Sequence, residues 1–132
     1  MSQNIDDFNR FAAKILERMY EAFPQDISPL LLDGIQKDLD DIEKKNLIGT
    51  FDFLATEGFI RCSSLSQSGD SYSFVKLTGK GLLTLNLVPK TLTGKKASLL
   101  DKIKAASKDG GKQALNAAIS QTIAAYVRMR WG

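Results

Sequence analysis

The chain of 132 residues has no histidine, one cysteine (Cys62), one tryptophan (Trp131) and three prolines. Without imidazole there is no His general base, no Ser-His or Cys-His pair and no histidine-ligated metal. A lone cysteine cannot close an intramolecular disulfide, which fits a reducing compartment, so a cytoplasmic location is the expectation. Long apolar runs are also missing. The longest uncharged stretch, Gln113 to Val127, is interrupted by Gln, Asn, Ser and Thr, and it falls short of the roughly 18 apolar residues a membrane span needs. The N-terminus, MSQNIDDFNRF, is polar and acidic rather than signal-like. Phosphate-loop spacing, metal-ligand clusters and nucleophile motifs are absent too. Gly79-Lys80-Gly81 lacks the spacing of a phosphate loop, and Asp38, Asp40 and Asp41 lack the spacing and glycine of a calcium loop. No enzymatic activity, cofactor, metal or small-molecule substrate is expected.

What is present begins with ordinary globular composition, 43% hydrophobic and 25% charged, in a chain long enough to bury a core unaided. The net charge of +3 hides an asymmetry. Residues 1–60 carry six Lys/Arg against twelve Asp/Glu, whereas residues 61–132 carry twelve against three. Such polarity fits either a basic half docked on an acidic half or a basic tail for nucleic acid or membrane.

Phe8, Phe11, Ala12, Ile15, Leu16, Met19 and Phe23 recur at three- and four-residue steps, which predicts an amphipathic helix over about 5–23, with Asn4 as its cap. Pro24 ends it. A short strand is expected at Ile27 and a turn of helix over Pro29 to Ile35. A charged segment, Asp38 to Lys45, leads to a second buried stripe of Leu47, Ile48, Phe51, Leu54 and Ala55, with Asn46 capping or kinking the join. Gly58 supplies the left-handed stop. The next residues, Phe59-Ile60, Ser66-Gln67-Ser68-Gly69-Asp70 and Tyr72 to Leu77, read as strand, turn and return strand. Thr78 caps a helix running to about Asn86. A linker follows Pro89. Ala97 to Trp131 is helix-forming, bent at Gly110-Gly111.

The run TFDFLATEGFI, RCSSLSQSGDSYS, FVKLTGKGLLTL, from Thr50 to Leu85, resembles the winged-helix domains of MarR-like and PadR-like regulators. The resemblance covers about the first two-thirds of the chain. It implies an α+β fold: a winged-helix domain (three-helix core plus β-hairpin wing) over 5–88, with a helical C-terminal extension over 91–132. It also implies a homodimeric regulatory or interaction module, with the helix before the wing placed for the DNA major groove. On that basis Lys44, Lys45, Asn46, Thr50, Arg61 and Lys76 are candidate nucleic-acid contacts.

The charge pattern departs from a DNA reader. The outer face of the reading helix, Asn46, Gly49, Phe53 and Thr56, has no Lys or Arg, and the wing tip carries Asp70 and no basic residue. Affinity for DNA depends on neutralising phosphates. Phe53 instead marks this face as a candidate protein contact, together with the stripe Leu115, Ile119, Ile123, Tyr126 and Val127 on the last helix. Three destinations compete for that helix. One is the chain's own winged domain or a second copy, favoured by the resemblance. The second is a membrane surface met by Lys95, Lys96, Lys102, Lys104, Lys108, Lys112, Arg128 and Arg130. The third is nucleic acid, poorly served by a lysine run without interleaved aromatics. The alternative to a regulator is therefore an adaptor that does not bind DNA, whose basic tail meets a membrane surface or an acidic protein.

Overall fold

The computed structural model describes residues 3–87 and 98–131, without the side chains of 109–110 and 129–131. Among these residues the fold is α+β, with six helices and two small antiparallel sheets: α1 (Gln3–Ala22), β1 (Leu30–Leu31), α2 (Leu32–Ile35), α3 (Asp41–Thr56), β2 (Ile60–Arg61), β3 (Ser71–Tyr72), β4 (Lys76–Leu77), α4 (Gly79–Asn86), α5 (Leu99–Ala105) and α6 (Gly111–Trp131). No described helix is long and apolar enough to cross a membrane.

α1 buries Phe11, Ala12, Ala13, Ile15, Leu16 and Met19, nearly the stripe its spacing predicts. It already includes Gln3, two residues before the expected start, so Asn4 lies inside the helix rather than capping it. α3 also differs from the sequence expectation. Asp40 accepts from the Glu43 amide at 2.7 Å while Glu43 reaches back to the Asp40 amide at 3.2 Å. This reciprocal cap satisfies two free amides and starts the helix at Asp41. One continuous helix therefore runs through Asn46, which neither caps nor kinks it.

The return strand is divided. Leu30 pairs with Tyr72, and Ile60 pairs with Leu77. The chain changes partner around Phe74, an exposed residue held at a φ of 54°. The expected two-stranded hairpin is therefore two short ladders, joined by the antiparallel bridge of Ile27 to Val75. Pairing of Leu30 and Leu31 with β3 also delays α2 to Leu32, so the expected helical turn does not begin at Pro29. At the other end, Gly58 has φ 86° and stops α3. Thr78 caps α4 by accepting from the Gly81 amide at 3.0 Å.

The C-terminal helices share the same core. Leu100, Ile103, Ala118, Ile119 and Tyr126 join the buried cluster that holds Phe11, Phe51 and Phe59. The Tyr126 ring lies 4.3 Å from that of Phe59. Between α5 and α6 the chain widens into a π-turn, Ala106–Gly110, and swings at Gly111, where φ is 68°. That is the bend the glycine pair predicts.

Tyr72 carries a polar conflict in this core. Its ring stacks on Phe51 with centroids 4.4 Å apart, and its hydroxyl is buried with no hydrogen-bond partner. Burial, reinforced by the charge of Asp52 and by Cys62, pushes its pKa from 10.0 up to about 12. A raised folded-state pKa means the neutral phenol stabilises the fold below pH 10.0, and that contribution is lost as pH climbs towards 12. Tyr72→Phe removes an orphaned hydroxyl while keeping the ring. It is expected to raise stability by about 1 kcal/mol at neutral pH and to flatten the loss between pH 10 and 11. Urea denaturation of both proteins at each pH checks it, and a destabilised variant at neutral pH would contradict it.

Candidate interaction face

The face expected to read DNA is built from α3 and the wing. Two of its polar residues, Asn46 and Thr50, are committed inside the chain. Asn46 Nδ2 donates to Asp7 Oδ2 at 2.8 Å and to Asn4 Oδ1 at 3.2 Å. Thr50 is buried and its hydroxyl donates to the Asn46 carbonyl at 2.7 Å. Neither is free to reach a base edge.

These contacts belong to a polar seam between α1 and α3. Asp7 is only 3% exposed. Besides Asn46, it accepts from Arg10 at 3.2 Å, and Arg10 also meets Glu43 at 3.1 Å. Asn9, likewise buried, donates to Asn116 of α6 at 2.7 Å. A buried carboxylate is tolerated only when paired and hydrogen-bonded, so this seam fixes how α1 sits on α3. The apolar stripe of α1 did not reveal it, because hydrophobic periodicity counts apolar residues and passes over Asp7 and Asn9. The faint signal was Asp7 and Arg10 at i, i+3, facing an α3 that carries Glu43 in its first turn.

The remaining basic candidates are dispersed. Lys44 and Lys45 are exposed on the first half of α3, and Arg61 faces Lys76 across the β2–β4 ladder. The wing tip is closed and anionic. Ser68 and Ser66 donate to Asp70 at 2.7 and 3.3 Å. The Ser68 bond first, then Ser66 and the charge of Lys44, hold the Asp70 carboxyl below its usual range. It remains ionised where a phosphate would approach. Nearby, burial pushes the Cys62 thiol up, followed by the effect of Asp52. A protonated, half-buried thiol is a poor nucleophile.

Phe53 lies on this face. It is 38% exposed and meets Phe8 edge-on, centroids 5.2 Å apart. Ile5, one turn before Phe8 on the same side of α1, is 53% exposed. Gly49, one turn before Phe53, has open space above it. Together they make a shallow apolar patch flanked by exposed Asp52.

On α6 the expected protein-contact residues divide. Ile119 and Tyr126 are buried in the chain's own core, Leu115 and Ile123 are half-buried against it, and Val127 is 44% exposed. The expected anionic-surface contacts divide as well. Lys102 donates to Gln121 at 2.9 Å and Lys104 pairs with Glu21 at 3.8 Å. Lys112 pairs with Asp6 at 3.4 Å, while Lys108 and Arg128 are exposed. Lys95 and Lys96 lie outside the described residues, as does the side chain of Arg130. Among the described residues no group of three His, Cys, Asp or Glu side chains is placed to hold a metal ion.

Compared with protein-family models, with curated proteins and with solved structures, the chain matches none.

Proposed function

We propose that the protein is a homodimeric interaction module on a winged-helix-like scaffold, and that it acts through protein contact rather than by reading DNA. In this reading α2, α3 and the β2–β4 ladder stand as the helix-turn-helix and wing. Phe53, exposed in the position of a base-reading side chain, carries the reading. The polar groups that would accompany it, Asn46 and Thr50, are spent on the fold. The nearby wing tip presents an ionised carboxylate, which repels a phosphate backbone.

A second copy is the partner in this reading because each chain carries one acidic and one basic exposed apolar surface. Val127 follows Tyr126, which lies against Phe59 just beyond the end of α3. Each chain thus offers Asp52-Phe53 from α3 and Val127-Arg128 from α6, all exposed. A two-fold axis sets the acidic flank of one copy against the basic flank of the other and covers both apolar residues, as an isologous interface requires.

Central aromatic residues dominate such interfaces, typically at 2 kcal/mol or more when lost. Phe53→Glu also places two like charges near the axis. Light scattering is expected to show the dimer dissociation constant rising by roughly 30-fold or more, with little change in the circular dichroism of the folded chain. A variant that dimerises as the wild type does would remove Phe53 from the interface.

A further inference from the structure

A second surface lies apart from the Phe53 patch. Between α1, the start of α3 and the bend into α6 opens a cleft of about 790 Å³, within the range of small-molecule sites. Among the described side chains, four cations and three carboxylates line it. The carboxylates are all engaged. Asp7 is held by Arg10 and Asn46, Glu43 by Arg10 and the Asp40 amide, and Asp6 by Lys112.

The cations are not all engaged. Arg10 uses one terminal nitrogen for both carboxylates, and its buried Nε has no partner. Lys14 donates to the neutral Gln36 at 2.9 Å and, among the described residues, has no carboxylate within ion-pair distance. Burial first, then the charge of Arg10, hold its amine below the usual lysine range. Two crowded cations short of an anion are stabilised by one. Lys108 and Lys112 are exposed on the opposite wall. α6 begins there at Gly111, where the space above the backbone is open and the first turn holds no acidic side chain. The positive end of a 21-residue helix therefore adds to the same field. Among the described residues no aromatic side chain lines the cleft, so none of them stacks on a base.

We propose that this cleft binds a small phosphate-bearing anion, clamped between Arg10 and Lys14 on α1 and Lys108 and Lys112 at the bend into α6. The anion bridges the N-terminal and C-terminal halves of the chain across the seam where their charges meet. The site is independent of the dimer contact: each can fail without the other.

The test uses the full chain and inorganic pyrophosphate, with sodium chloride at matched ionic strength as control, followed by amide NMR. Saturable shifts are expected at residues 106–116 and at the Arg10 side-chain Nε–H, with none of this pattern from chloride. Lys108→Ala and Lys14→Gln, each with an unchanged melting temperature, are expected to weaken binding by about tenfold, as loss of one charge-assisted bond does. Non-saturating shifts spread over all lysines, shifts confined to Lys90–Lys96, or an affinity unchanged in both variants would overturn the site.

Discussion

Gly81→Ala is expected to destabilise the protein by about 3 kcal/mol or more, although alanine is the better helix former by roughly 1 kcal/mol. Gly81 is buried in the first turn of α4. A β-carbon there would lie 2.2 Å from the Phe59 carbonyl oxygen and 3.0 Å from a Leu77 methyl. The carbonyl cannot retreat, because the amide and the hydroxyl of Thr78 both donate to it at 3.1 Å. The same hydroxyl also reaches the Gly58 carbonyl. Phe59 itself is fully buried against Tyr126, so moving its backbone disturbs the contact between α6 and the core. Gly79→Ala is the control. Nothing lies within 4 Å of its added carbon, and it is expected to be neutral or stabilising by a few tenths of a kcal/mol. Chemical denaturation of the pair separates steric conflict from helix propensity: equal effects would mean that α4 does not pack on Phe59 so closely.

Asp7→Ala is the second large effect, at about 3 kcal/mol. The substitution leaves Asn46 Nδ2 with only Asn4 and Arg10 with only Glu43, around a position whose own side chain is only 3% exposed. Removing one partner of a buried ionic cluster costs more than the cluster contributes, because the remaining groups stay desolvated. Asp7→Asn keeps the shape and one acceptor and is expected to lose about half as much. Urea melts followed by far-ultraviolet circular dichroism measure both. A loss below about 1 kcal/mol for the alanine variant would mean the seam is solvated like a surface ion pair.

These two residues show what was legible in advance. The α1 stripe, the Gly58 stop, the Thr78 cap and the bend at Gly110-Gly111 each follow from a local rule, and each is observed. Gly81 did not announce itself, since a glycine two residues into a helix looks like a tolerated weakness. Only the approach of the Phe59 backbone, twenty-two positions away, gives it a reason. Asp7 and Asn9 were missed because hydrophobic periodicity assigns polar residues to solvent, whereas these face Asn46 and Asn116 from distant segments. The start of α3 was misplaced because Asp40 and Glu43 were read as charge rather than as a reciprocal cap. The divided wing depends on Leu30 competing for Tyr72, a long-range pairing that no turn signal encodes.

The candidate site was legible in part. Phe53 stands out from sequence, being off the buried stripe by helical angle alone, and it lies at the surface beside Phe8. Thr50 and Asn46 were weighed there as outward donors. Their inward bonds depend on how α3 meets α1, which intrinsic propensity does not carry. The lysines of the C-terminal segment were read as one basic run, yet Lys102 and Lys104 find partners on α6 and α1. Lys108 and Lys112 instead line the cleft that also holds Arg10 and Lys14.

The role proposed for the protein turns on whether the α3 face meets protein or DNA. Sedimentation velocity of the wild-type chain mixed with a fluorescently labelled random duplex at low salt tests it in one experiment. The protein is expected at twice its 14.5 kDa chain mass, with the labelled duplex sedimenting as if alone. A protein boundary at the monomer mass, or a duplex that moves with the protein and is released by added salt, would contradict the account.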